Sequence, residues 1–314
     1  MVVDVSSFLT AETDFGLDML RQKSPDECIV VSPLSVIFAL NLLQPGAKGI
    51  TKSQITDAIS KGSSDDETLE YYSELMRQIL DSTSNAQIRI ANGFFFRNGL
   101  DINDDYAHKI TGKLCSRLEA HDFSQADETA KVINNFVDSS TAGKIKEIIS
   151  ADTVKDAISV IVNAIYFKAD WDVKFKSSNS SKGEFYSAPD KEKEVEYMRC
   201  SNTHRLYAED DDTQVLSLLY EDNTYAFNIF LPKNRYGLGD LLKTWTGEKI
   251  QRSLSTLKET FITIVIPKMK FETDFELKKA LINMGIKDMF TKAADLSGIS
   301  SAPLMVSSAT HKAL

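Results

Sequence analysis

The spacing of apolar residues changes period part-way along this chain, and no linker marks the change. Through the first third the recurrence is helical. Phe15, Leu17 and Leu20 precede polar Arg21-Gln22-Lys23, and a second stripe, Val36, Ile37, Ala39, Leu40 and Leu43, runs until Pro45-Gly46 stops it. Thr68 to Leu80 repeats the pattern, with Leu69, Tyr72, Leu75, Met76 and Ile79 at helical spacing and Glu67, Glu70 and Glu74 opposite. Val132, Ile133, Phe136 and Val137 form another helical stretch, closed by Gly143 and followed by the short run Ile145 to Ile149. Beyond it, Ala157 to Phe167, Gln214 to Tyr220, Tyr225 to Leu231 and Phe261 to Phe271 are rich in Val, Ile, Phe and Tyr and bounded by turn residues, as strands are. Helical spacing returns at Phe275 to Phe290, before a loop around Gly298. Helices first and strands later, with no repeat, low-complexity tract or flexible linker between them, predict one α+β domain over residues 1–314.

Composition narrows the function. A hydrophobic content of 42% and a charged content of 26% are those of an ordinary globular protein, and the net charge of −9 argues against a nucleic-acid or anionic-membrane partner. The most apolar stretch, Ile29 to Leu43, is interrupted by Ser32, Pro33, Ser35 and Asn41 and is too short to span a bilayer. Asp4, Glu12 and Asp14 stand where a secretory signal would carry a basic region and an apolar run, so a cytoplasmic protein is expected. Cys28, Cys115 and Cys200, odd in number and without CxxC spacing, fit a reduced compartment. Against that setting the sequon Asn179-Ser180-Ser181 carries little weight.

No catalytic constellation is legible. His108, His121, His204 and His311 are far apart and lack the i, i+4 partners or nearby Cys and Asp of metal ligands. There is no G-x-S-x-G elbow and no P-loop, and Gly237-Leu238-Gly239 lacks the third glycine of a dinucleotide site. The chain is expected to be no enzyme and to need neither metal nor cofactor. Lys144, Lys146, Lys268 and Lys270 alternate with apolar residues, the pattern of a solvated face rather than of a polyanion site.

Four blocks together resemble the serpin family. They are Ile29 to Ser35 leading to Gly46-Ala47-Lys48-Gly49; Val132 to Ile149, centred on Asn134-Asn135-Phe136; Asn163-Ala164-Ile165-Tyr166-Phe167-Lys168 with Trp171 and Phe175; and Ile266-Pro267-Lys268 through Leu296-Ser297-Gly298-Ile299-Ser300 to His311-Lys312-Ala313. Ala169, where a glycine is usual, is a small departure. The resemblance implies helices packed on large mixed and antiparallel sheets. It also implies a serine-type endopeptidase inhibitor that acts as a suicide substrate: a protease cuts an exposed loop, and the loop inserts as a new strand into the central sheet. Ser32, Ser35, Asn163 and His311 would lie at the sheet-opening (shutter) region, and Trp171 at the loop-entry (breach) region. A plain buried polar network would explain the first four residues as well, and a plain core aromatic the fifth.

The resemblance places the family's hinge, reactive-centre loop and last strands after His311-Lys312-Ala313. The chain is therefore expected to lack its C-terminal strands and the reactive-centre loop, and to inhibit poorly by itself. Its expected partners are a serine or cysteine protease and, by strand exchange, another serpin. A non-inhibitory binding or chaperone module is the alternative. Some serpins bind a sulfated polysaccharide on the helix corresponding to Thr68 to Leu80; its Glu-rich face predicts none here.

Overall fold

The computed structural model describes residues 5–81, 86–269 and 275–314. Asp4, Lys270 and Phe271, used in the reading above, lie outside the described residues. In chain order the elements are α1 (Val5–Leu20), α2 (Pro33–Leu43), α3 (Gly49–Ile59), α4 (Asp65–Asp81), β1 (Gln87–Arg97), α5 (Asp104–Lys113), β2 (Arg117–His121), α6 (Ala126–Ser140), α7 (Ala151–Val154) and β3 (Ser159–Lys168). There follow β4 (Ser181–Ala188), β5 (Lys191–Glu209), β6 (Thr213–Leu219), β7 (Ala226–Pro232), α8 (Leu238–Thr244), α9 (Gly247–Ser255), β8 (Lys258–Pro267), α10 (Leu277–Asn283) and β9 (Ser308–Ala313). The α+β class and the main helical and strand patterns are as read. The first third, however, is not all helix: β1 lies within it, and α3, β4 and β5 come from segments without a clear apolar period. The Phe275 to Phe290 pattern yields only the short α10 and a 3-10 turn at Asp288–Phe290.

Two sheets organise the molecule. The first has order β2-β1-β3-β9 and is mixed: β1 is antiparallel to β3, while β2 runs parallel to β1 and β9 parallel to β3. The second is antiparallel, β4-β5-β6-β7, with β8 along the other side of β5. Both faces of the first sheet are covered. Along β3, Val160, Val162 and Ala164 join Ala91 and Phe95 of β1 beneath Ile133 and Val137 of α6. The alternate residues, Ile161 with Phe94 and Ala309, enter the main core around α2. Side chains alternate across a strand, so Asn163 and Asn92, two positions on from Ile161 and before Phe94, face α2, as does His311, two positions on from Ala309.

α2 is buried nearly all round, from Ser35 through Leu43, as a helix inside the core must be. Ser32 caps it, its side chain accepting from the Ser35 N–H, and Pro33 occupies the first turn, where no N–H is needed. After its C-terminus the chain passes so close to the Gly298 loop that Gly298 N–H donates to the Gly46 carbonyl at 3.0 Å. A Cβ on Gly46 would lie 2.2 Å from Ile299 Cγ1.

Candidate functional site

Three in-register residues form a polar rung across the first sheet at the foot of α2. Asn92 of β1 is opposite Asn163 of β3, and Asn163 is opposite His311 of β9. Beyond β9, Phe275 makes an isolated antiparallel bridge to His311. Asn92, Asn163, His311 and Ser35 are all buried.

The hydrogen bonds assign each group one role. Asn163 Oδ1 accepts twice, from Ser35 Oγ at 2.5 Å and from His311 Nδ1 at 2.7 Å. Its Nδ2 donates to Asn92 Oδ1. Since an amide oxygen can only accept, Nδ1 of His311 carries the hydrogen, and Nε2 is left as the acceptor for the Ser32 backbone N–H at 3.1 Å. The network is complete with a neutral imidazole. Burial lowers the His311 pKa from 6.5 to about 4. A proton added at Nε2 would also meet the Ser32 N–H donor head-on.

Ser32, Ser35, Asn163 and His311, predicted as one region, are thus in direct contact. Asn92 belongs to the same network and was not predicted. Its Nδ2 is buried without a partner among the described residues. Trp171 is elsewhere. It follows the end of β3, five residues or about 16 Å of strand beyond Asn163, in an isolated bridge with Tyr220. Its ring stacks on Tyr220 at 4.7 Å and meets the edges of Phe175 and Phe227. Trp171 packs against the core of the second sheet, and Phe167 of β3 also touches Tyr220, so this corner joins the two sheets.

The remaining histidines are dispersed: His121 contacts Glu119 at 2.9 Å and His204 approaches Glu259 at 3.8 Å. No group of three or more His, Cys, Asp or Glu suited to a metal occurs among the described residues. Nor is any described helix long and apolar enough to cross a membrane. Lys144 lies over the Tyr166 ring and Lys268 pairs with Glu196, so both have local structural contacts.

A core helix capping a polar rung, beneath a mixed sheet whose strands β3 and β9 run parallel, defines a distinctive α+β scaffold. A family model described as serpin (serine protease inhibitor) matches residues 10–314. Relatives include Iripin-2 of Ixodes ricinus, 30% identical over 97% of this chain and 78% of its own length. Human (Homo sapiens) serpin B4 is 31% identical, over 98% of this chain and 85% of its own length. A Mus musculus relative that is named as a serine protease inhibitor is 32% identical, over 99% of this chain and 76% of its own length. The crystal structure of uncleaved ovalbumin superposes with a TM-score of 0.88 at 26% identity, covering 97% of this chain and 88% of that one. The chain belongs to the serpin family. It is accordingly a member of a family of protease inhibitors and not an enzyme.

Proposed function

We propose that this chain carries the scaffold of a serine-type endopeptidase inhibitor that works by strand insertion between β3 and β9, with Ser32, Ser35, Asn163 and His311, together with Asn92, as the gate. The observation that carries the reading is that the two parallel strands meet in one polar rung: His311 is bound on one side to Asn163 and on the other to the cap of α2. Hydrogen bonds of this kind exchange partners at small net cost, because a new strand supplies new donors and acceptors, whereas interlocked apolar side chains would have to be pulled apart. Trp171, at the corner between the sheets, is the proposed entry point for the strand. The protease partner would be of the serine or cysteine class. The acidic first turn of α4, Asp65, Asp66 and Glu67, supports action without a sulfated polysaccharide. Free Cys28, Cys115 and Cys200 support a reducing, cytoplasmic setting.

The test has two arms. The chain is incubated with a panel of serine and cysteine proteases and examined for an SDS-resistant complex at the summed mass. Separately, a synthetic extended peptide rich in Ala and Thr is added, and a rise in melting temperature, faster to develop in His311→Ala, is expected. Peptide uptake without a covalent complex supports the gate on a chain that does not itself inhibit, an outcome shared with the alternative, a non-inhibitory binding module on the same scaffold. Failure of both overturns the gate. Strand exchange with another serpin is a further part of this reading. It is supported by β7 and β8, which among the described residues each pair on one side only.

A further inference from the structure

One carboxyl outside the polar rung is half-buried against aromatic rings. Glu12 is on α1, one turn after Phe8, and Phe8 stacks on Tyr71 of α4 at 4.3 Å and meets the edge of Tyr72 at 5.7 Å. The Tyr71 hydroxyl lies beside the Glu12 carboxyl, while Glu12 Oε1 is buried with no partner among the described residues. On its other side Glu12 borders a cavity of about 510 Å³ whose wall is apolar: Leu17, Phe230, Leu242, Trp245 and Ile250. The titratable groups facing Glu12 are few. α4 presents Tyr71 and Tyr72, both pushed up by burial and then by the Glu12 charge, so both remain hydroxyl donors. Across the cavity, the segment before α2 presents Glu27, paired with Lys23. The parts of α2, β7, α8 and α9 that line the cavity are uncharged. The cation Lys61 is engaged by Asp14, which also accepts the Gly247 N–H. Among the described residues, nothing around Glu12 compensates a negative charge except one phenol.

We propose that Glu12 is a proton-operated latch holding the N-terminal half of α1 against α4: uncharged it seats α1, and ionised it loosens it and widens the apolar cavity. A carboxylate with one buried, unpartnered oxygen gains solvation by leaving, whereas a carboxylic acid costs far less to keep inside. Burial lifts the Glu12 carboxyl from 4.5 to about 7, against the opposing pull of the Tyr71 hydroxyl. A group whose folded pKa is raised contributes its full stabilisation below 4.5 and loses it as pH rises to about 7. The latch therefore opens towards neutral pH, opposite in sign to the effect of His311.

Hydrogen exchange of α1 amides, normalised for intrinsic rates, tests this directly. The opening equilibrium should rise by about a hundredfold between pH 5 and 7.5 and then level off, roughly tenfold for each unit below the plateau. Glu12→Gln should abolish that slope. In Tyr71→Phe, which keeps the ring stacking, the carboxyl should titrate higher still, because the phenol hydroxyl favours the ionised form. A carbon-13 titration placing Glu12 below about 5, or an unchanged slope in Glu12→Gln, overturns the latch.

Discussion

Asn163 is the residue on which the site turns, since it alone bonds to three elements: Ser35 on α2, Asn92 on β1 and His311 on β9. Replacement by Ala removes these bonds and strands the buried Asn92 and His311 groups. Each stranded polar group costs about 1 to 3 kcal/mol, so urea denaturation of Asn163→Ala should show a loss of about 2 to 6 kcal/mol. Ser35→Ala added to Asn163→Ala should cost less than it does alone, because the shared bond is already gone. His311 gives the site a pH dependence. Its folded pKa is depressed, so its stabilisation is complete above 6.5 and falls as pH drops to about 4. The loss is on the order of 3 kcal/mol, and it should be largely absent from the pH profile of His311→Gln. The four residues assigned from the family resemblance are in contact. Asn92 was not legible, because Asn92-Gly93 is a dipeptide that ordinarily marks a turn. Gly93 serves a different purpose: a Cβ there would meet Phe95 and, at 3.2 Å, Phe136 of the crossing helix α6.

Single side chains also fix how elements lie on one another. The chain after α6 has no regular structure, yet Asn134 holds it to the helix: Oδ1 accepts the Ile148 and Ile149 N–H groups, and Nδ2 donates to the Ile149 carbonyl. Asn134→Ala should free residues 145–149 from the sheet, seen as faster amide exchange there with α6 itself still protected. At the other end of the core, Gly46→Ala would push a methyl into Ile299 and the backbone behind it. Overpacking of this kind typically costs about 1 to 3 kcal/mol, and a lowered melting temperature with unchanged far-UV circular dichroism is expected. Helices α2, α4 and α6 were readable because each buries residues at helical spacing or, for α2, all round. β1 was not, since it is buried on both faces along most of its length and shows no alternation. β5 was missed for the opposite reason: no residue in its 19 is fully buried, and charges interrupt both of its faces.

At the scale of the molecule, the two sheets differ in exposure. The first is sandwiched between α6 and α2, whereas the second leaves Phe261 at 62% and Val265 at 49% exposure on β8, which pairs only with β5 among the described residues. An exposed apolar strand edge is a template for pairing with another chain. Light scattering on warming should show concentration-dependent association, reduced in Phe261→Lys with Val265→Lys. Persistence of the association in that variant would move its origin away from β8.

Local chemistry along the chain determined the helices with a buried stripe, the apolar strands, the cap of α2 and the α+β class, because each depends on neighbours a few residues away. The family's ordered blocks then supplied the expectation that residues 32, 35, 163 and 311 meet. Tertiary structure alone decided that they do so through one in-register rung, that Asn92 completes it, and that a neutral His311 is the form that fits. It also decided that Glu12, an ordinary acidic residue in the sequence, is half-buried between aromatic rings and an apolar cavity. Register between strands and the burial of a charge are set by residues distant along the chain, and no local pattern encodes them.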